Sequence, residues 1–178
     1  MLTLSAERAA LLVIDFQARL MPVIDDAAVA LANARRLRDA AALFEVPVLY
    51  TEQNPKGLGP TVPEVAPGNA TPVLEKATFD ATRAAGFSGL LPPRDDIVVT
   101  GCEAHVCVLQ TVLGLIDQGK RVFVVADAIG SRKPENKAAA LARMARHGAE
   151  IVTTEMVVFE WLRSAEHPRF REAVALIK

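Results

Sequence analysis

The stretch from residue 97 to residue 126 holds a strand, a helix and a second strand in succession. It opens on the apolar run Ile97-Val-Val-Thr100, continues with a helical pattern over about residues 104–118, and closes on Val122-Phe-Val-Val-Ala126. Gly119 stands where glycines commonly end helices. Antiparallel strands need only a short turn between them, whereas parallel strands need a crossover of this length. The stretch therefore predicts a parallel pair of strands and an α/β fold.

Strands and helices alternate along the rest of the chain. Further apolar runs of strand length cover residues 10–14, 47–51 and 151–153, and helical patterns cover 29–44, 134–147, 155–163 and 169–178. Runs that are apolar throughout are typical of strands covered on both faces. We therefore expect a parallel sheet with helices on both faces.

The segment 52–71 interrupts this alternation because it is rich in proline and glycine. Such a composition disfavours a long helix or a central strand. Long loops inside compact domains are usually functional or disordered. We expect this one to form a wall or lid over the site.

Composition limits the classes of partner. The chain has 178 residues, with 20 Lys and Arg against 21 Asp and Glu and a net charge of −1. We expect one domain over residues 1–178 and no nucleic-acid partner, since nucleic-acid binding needs a basic face. The first apolar run is far shorter than the roughly 20 residues that cross a bilayer, so no membrane partner is expected. Two cysteines are too few for a disulfide framework, which favours the cytoplasm.

Chemically active residues follow the predicted strands. Asp15 ends the first run, Cys102 follows the third, Cys107 begins the next helix, and Lys76 follows a short extended stretch. Ligands of open α/β sheets bind at the carboxyl ends of strands, so these groups could converge. Each has an ordinary alternative: Asp15 as a turn residue, Lys76 as a solvated lysine and Cys107 as a buried thiol. A helix N-terminus favours a thiolate at Cys107.

Four motifs in order resemble the isochorismatase-like family of cysteine hydrolases. They are Leu11-Leu-Val-Ile-Asp-Phe-Gln17, Glu75-Lys-Ala-Thr-Phe79, Val99-Thr-Gly-Cys-Glu-Ala-His-Val-Cys-Val108 with Thr111, and Val122-Phe-Val-Val-Ala-Asp-Ala128 with Ser131. The segment Thr51-Glu-Gln-Asn-Pro-Lys-Gly-Leu-Gly-Pro-Thr-Val-Pro-Glu64 resembles the small isochorismatase domain-containing branch of that family. The resemblance covers nearly the whole chain.

The resemblance implies a fold and a catalytic set. The fold is a three-layer, Rossmann-like, six-stranded parallel sheet with helices on both faces. The implied triad has Asp15 as the base, Lys76 as the cation and Cys107 as the nucleophile. It also implies a cis peptide between Cys102 and Glu103. The backbone N–H groups of Glu103 and Cys107 would then receive an oxyanion.

The residues beside these motifs are candidates for the substrate pocket. We expect Phe16, Gln17, Tyr50, Glu52 and Phe79 to line it, together with Gln53. Family members that hydrolyse nicotinamide hold a metal through an Asp and histidines after the second strand. The matching stretch here is Thr51-Glu-Gln-Asn54, and no histidine precedes His105. We therefore expect no metal site and no cofactor.

The resulting hypothesis is a metal-independent cysteine hydrolase that acts on the C–N bond of a small amide or related carbonyl compound through a Cys107 thioester. Two other classes stay open. One is a non-catalytic binding or scaffolding protein that retains the triad, and the other is a thiol redox or stress protein that uses Cys107 with Cys102. The expected partner is a small-molecule substrate. We also expect a homo-oligomer, as in other members of the family.

Overall fold

Six strands form one parallel sheet in the computed structural model, which describes residues 2–178. The strands are β1 (Ala9–Ile14), β2 (Val48–Gln53), β3 (Val73–Lys76), β4 (Asp96–Cys102), β5 (Arg121–Gly130) and β6 (Glu150–Val152). Their order in the sheet is β3-β2-β1-β4-β5-β6, and every neighbouring pair is parallel. The predicted three-layer, Rossmann-like fold is confirmed.

Helices cover both faces of this sheet. They are α1 (Ala27–Leu43), α2 (Pro55–Leu58), α3 (Phe87–Leu90), α4 (Leu109–Asp117), α5 (Pro134–Arg146), α6 (Thr154–Leu162) and α7 (Phe170–Ile177). The α1, α6 and α7 helices pack together on one face, and α4 and α5 pack on the other. Within the part of the chain that the structure describes, no helix has the length and apolar character needed to cross a membrane.

Alternating residues of the strands build two separate cores. Along β1, Leu11 and Val13 belong to the α1-side core, whereas Leu12 and Ile14 belong to the α4-side core. All six residues of β1 are buried, as the continuous apolar run predicts. Because side chains alternate between faces with a period of two, the position of a residue along its strand decides which core it enters.

The strand order reverses between β1 and β4, which creates the crevice where ligands of doubly wound sheets bind. At this point Gly101 lies beside Ile14 in the β1–β4 register. Gly101 has a φ of 149°, and a Cβ there would lie 2.3 Å from the carbonyl oxygen of Ile14. Only glycine permits so close an approach of the two strand ends.

Three segments differ from the sequence prediction. The short extended stretch before Lys76 is a true strand, β3, and Lys76 is its last residue. The helix after β4 begins with a π-helical turn, Ala104–Val108, before α4. The segment 52–71 starts as the end of β2 and then holds α2 and a 3₁₀ turn, Pro63–Val65. Residues 58–62 form a wall against the turn after β1, at the carboxyl ends of the strands, whereas residues 66–71 return to the amino end of β2.

Candidate active site

Asp15 stands directly after β1 with a backbone φ of 53°, a left-handed conformation that aspartate tolerates better than most residues. Its side chain is completely buried. The hydroxyl of Thr51 donates a hydrogen bond to Oδ1 over 2.6 Å, and the ammonium of Lys76 donates to Oδ2 over 2.7 Å. Both carboxylate oxygens therefore have donors, which is the condition for holding a charge in the interior.

Lys76 reaches the same buried point from the end of β3. Its Nζ donates to Asp15 Oδ2 over 2.7 Å and to Oε1 of Gln53 over 2.9 Å. The side chain has no solvent exposure. An ammonium carries three N–H donors, so these two bonds leave one for a further group. The placement of Lys76 follows from the sheet, because Lys76 is the register partner of Gln53.

Gln53 is the second acceptor for this ammonium, and hydrogen bonds hold both its side-chain amide and its backbone. Its Nε2 donates to the carbonyl of Ala77 over 2.7 Å, which turns Oε1 toward Lys76. The side chain of Gln17 accepts from the Gln53 N–H over 2.8 Å and donates to the Gln53 carbonyl over 3.0 Å. The sequence predicted Gln53 only as a pocket wall. Its parity with Thr51 along β2 was the signal that both side chains face the site.

Cys107 lies in the π-helical turn and is almost completely buried. Its Sγ is 4.0 Å from Gln53 Oε1. The pKa of the Cys107 thiol is raised to about 12, first by burial and then by the carboxylate of Asp15, and the ammonium of Lys76 opposes both. Cys107 therefore rests as a thiol near neutral pH. A helix start favours a thiolate, but burial and the Asp15 carboxylate act on the pKa of Cys107 in the opposite direction.

The turn between β4 and Cys107 begins with a cis peptide bond between Cys102 and Glu103. The Glu103 side chain is turned toward Arg132: it accepts from the backbone N–H of Arg132 over 2.8 Å and from its Nε over 3.1 Å. The Glu103 carbonyl accepts from the N–H groups of Val106 and Val108. These bonds hold the turn that precedes the Cys107 thiol.

The predicted pocket residues separate into different environments. Phe16 and Tyr50 belong to the α1-side core, on the face of the sheet away from Cys107, and each is at most 1% exposed. Glu52 also points away from the triad and accepts from the N–H and hydroxyl of Thr61 over 2.7 Å. These three residues therefore do not line a pocket at Cys107. Strand alternation is the physical reason for Tyr50 and Glu52, since both have the opposite parity to Thr51 and Gln53.

Gln17 and Phe79 have other positions. Gln17 is buried and ties the end of β2 to the wall segment by donating to the Gly59 carbonyl over 2.7 Å. Phe79 is half-exposed and lines a cleft of about 740 Å³ along α4. A smaller cleft of about 430 Å³ lies beside the buried groups and includes Gln53 and Lys76 in its lining. Lys76 is thus the member of the predicted triad that this opening reaches.

The two cysteines lie in different cores. Both are free, with Cys102 in the α1-side core and Cys107 in the α4-side core. A disulfide between them would require the two side chains to meet across the sheet. Among residues 2–178, no three His, Cys, Asp or Glu side chains come together in an arrangement that could hold a metal ion.

Sheet order and buried groups together define a doubly wound α/β protein with a carboxylate, an ammonium and a thiol at its switch point. The family model for the isochorismatase domain matches residues 9–156. Isochorismatase domain-containing protein 2 from Danio rerio is 35% identical over 176 residues, which covers 98% of this chain and 89% of that protein. The chain belongs to the isochorismatase family and has the hydrolase fold of that superfamily.

Solved structures agree with this assignment. The MAR1 ribonuclease from Caenorhabditis elegans superimposes with a TM-score of 0.93 at 34% identity, covering 98% of this chain and 92% of that one. The YcaC gene product from Escherichia coli, an octameric hydrolase of unknown specificity, superimposes with a TM-score of 0.89 at 28% identity. That comparison covers 99% of this chain and 88% of the other.

Proposed function

We propose that the protein is a metal-independent cysteine hydrolase that cleaves the C–N bond of a small amide or related carbonyl compound. The observation that carries the proposal is the buried Lys76 ammonium, which donates to Asp15 and Gln53 beside the Cys107 thiol. A carboxylate and an ammonium that are shielded from solvent beside a free thiol add nothing to apolar packing. Buried charges beside a nucleophile are typical of functional sites.

Attack on the substrate starts from the protonated thiol. Because burial raises the pKa of Cys107 to about 12, the proton must leave as the sulfur attacks the carbonyl carbon. Asp15 is the acceptor for that proton, and Lys76 stabilises the negative charge that develops on sulfur. The C–S bond forms while the carbonyl π electrons move to oxygen.

The tetrahedral oxyanion then needs donors. The backbone N–H groups of Glu103 and Cys107 are the proposed donors, since the first N–H groups of a helix have no intrahelical acceptor. Collapse of the intermediate breaks the C–N bond, and the departing amine takes the proton from Asp15. A thioester on Cys107 remains.

Hydrolysis of the thioester repeats the steps of attack and collapse, with water as the nucleophile. Asp15 removes a proton from the water as it attacks, and the thiolate of Cys107 leaves and recovers that proton. The products are a carboxylic acid and the regenerated thiol. No step draws on a metal ion, and the stretch Thr51-Glu-Gln-Asn54 at the end of β2 holds no histidine.

The test is ammonia release from a panel of small primary amides and N-carbamoyl compounds. We expect Cys107→Ala and Cys107→Ser to abolish turnover of any substrate found while thermal unfolding remains cooperative. Acid quenching during turnover should leave the acyl mass on the peptide containing Cys107. Undiminished turnover by Cys107→Ala would contradict the proposal.

RNA is the alternative substrate to compare with amides, because one structural neighbour is named a ribonuclease. The near-zero net charge of this chain gives no general attraction for a polyanion. We expect no RNA cleavage that depends on Cys107. Cys107-dependent cleavage of RNA would contradict the C–N assignment, and tight ligand binding without turnover would favour a non-catalytic protein.

We also propose that the protein is a homo-oligomer, supported by the octameric state of its E. coli neighbour. Large hydrophobic side chains remain on the surface of the single chain, among them Phe79, Met156 and Phe159. Symmetric assembly would remove such side chains from water. Light scattering should give a mass that is a multiple of 19.1 kDa, and a sharp monomer peak would contradict this.

A further inference from the structure

A separate cleft lies at the amino ends of the strands, the edge of the sheet opposite to Cys107. Its volume is about 480 Å³. Glu7, Glu45 and Arg94 line it from the segments just before β1, β2 and β4. Trp161, near the end of α6, completes the floor. The active-site proposal uses none of these residues.

Two hydrogen-bond donors in this cleft are buried without an acceptor. Among residues 2–178, Nε of Arg94 and Nε1 of Trp161 have no hydrogen-bond partner. Trp161 is 2% exposed, so its indole N–H has left water without receiving a protein acceptor. Buried polar groups of native proteins nearly always have partners. Two orphaned donors lining one cleft indicate an acceptor that the described chain does not itself supply.

The charges of the lining favour an anionic acceptor. Arg94 forms no ion pair with a carboxylate of the described residues. Arg169 lines the same cleft, and its Nη1 donates a hydrogen bond to the exposed carboxylate of Glu172. Glu7 is occupied by the guanidinium of Arg163 over 2.6 Å, so it does not neutralise Arg94. Glu45 is the remaining acid, and it stands on the exposed turn before β2.

Aromatic rings form one wall beside these donors. The ring of Phe44 packs edge-on against two others. Its centroid is 6.4 Å from that of Trp161 and 5.7 Å from that of His167. His167 Nδ1 accepts the backbone N–H of Arg169, so a neutral His167 ring carries its hydrogen on Nε2. The cleft thus combines an aromatic wall with an excess of N–H donors.

We propose that this cleft is a binding site for a small carboxylate that carries a short hydrocarbon or aromatic group. The carboxylate accepts from Arg94 and Trp161 after a small rotation of these side chains, and Phe44 contacts the hydrocarbon part. The proposal is independent of the chemistry at Cys107. It concerns the opposite edge of the sheet and holds whether or not the triad is active.

The test uses the single tryptophan of the chain, whose indole N–H gives one NMR resonance. We expect benzoate, added at constant ionic strength, to shift this resonance downfield and saturably. Benzyl alcohol, a neutral molecule of similar size, should not do so, and inorganic phosphate distinguishes a carboxylate site from a general oxyanion site. A phosphate response as strong as that of benzoate would overturn the carboxylate assignment.

Variants decide whether the response comes from this cleft. Arg94→Gln should weaken benzoate binding roughly tenfold or more, the loss expected for one charged hydrogen bond. If Arg94→Gln does not fold, Arg169→Gln replaces it as the test variant, because the Arg169 side chain is half-exposed. Arg169→Gln should also weaken benzoate binding. Arg83→Gln, outside the cleft and highly exposed, is the matched control. No saturable shift, or equal binding by Arg94→Gln and Arg83→Gln, would overturn the proposal.

Discussion

Lys76 donates a hydrogen bond to Asp15 over 2.7 Å at a point where both side chains are completely shielded from solvent. Such a pair is costly to bury and is tolerated only when the remaining lone pairs and protons are also satisfied. Thr51 satisfies the second oxygen of Asp15, and Gln53 takes a second N–H of Lys76. The remaining N–H of Lys76 is thereby free for the sulfur of Cys107.

Gln53 should position Lys76 rather than take part in bond breaking. Replacing it by Met keeps the side-chain length but removes the oxygen that accepts from Lys76. We expect kcat to fall by roughly ten- to a hundredfold, since a loosely held charge stabilises the transition state less well. Steady-state kinetics on an amide that the panel shows to be a substrate would measure this.

Gln53→Glu separates positioning from charge. The carboxylate still accepts from Lys76 but adds a negative charge near Cys107, so the pKa of the thiol should rise above that of the wild type. Gln110→Met makes the same replacement at an exposed position on α4, so it is the control for Gln53→Met. Full activity in Gln53→Met would show that Lys76 needs no second acceptor.

Gly101 should tolerate no side chain. A Cβ there would lie 2.3 Å from the Ile14 carbonyl oxygen, in a backbone conformation that L-residues rarely adopt. We expect Gly101→Ala to lower the free energy of unfolding by about 3 kcal/mol or more. Gly89→Ala is the matched control, because nothing lies within 4 Å of its Cβ position. Equal urea midpoints for the two variants would refute the close approach of β1 and β4.

Burial of the Cys107 thiol predicts a loss of stability in alkali. The folded pKa of about 12 lies above the value of about 8.5 for a free cysteine, so the unfolded chain loses its proton first. The stabilisation is complete below about pH 8.5 and is lost as pH rises toward about 12. Tyr50, whose pKa burial also raises to about 12, adds to this loss at the upper end of the range.

Urea unfolding across this pH range checks the contribution of Cys107. Wild type should lose stability more steeply than Cys107→Ala, by at most about 1.4 kcal/mol per pH unit. Only the slopes are compared, because Cys107→Ala also removes packing. Identical slopes would mean that Cys107 does not have a raised pKa in the folded protein.

A parallel sheet with helices on both faces could be predicted because continuous apolar runs and helical patterns alternate along the chain, whereas its six strands and Rossmann-like order came from the family resemblance. The carboxyl-end rule then brought Asp15, Lys76 and Cys107 to one edge without any knowledge of contacts. The edge strand β3 was harder to recognise, since it has four residues and alternates between exposed and buried positions.

Two features of the site needed the structure. Tyr50 and Glu52 were assigned to the pocket from their nearness in sequence, although strand parity sends them to the face opposite Thr51 and Gln53. The protonation state of Cys107 depends on burial and on the competing charges of Asp15 and Lys76. These quantities arise from tertiary packing, which residue patterns do not contain.

The most direct test of the account is the pH dependence of Cys107 alkylation by iodoacetamide, followed on the peptide that contains it. Asp15 raises the pKa of the thiol and Lys76 lowers it, so the two variants should shift the profile in opposite directions. Asp15→Asn should react at lower pH than the wild type, and Lys76→Met should react at higher pH. Profiles that coincide for all three proteins would show that the carboxylate and the ammonium do not act on the thiol.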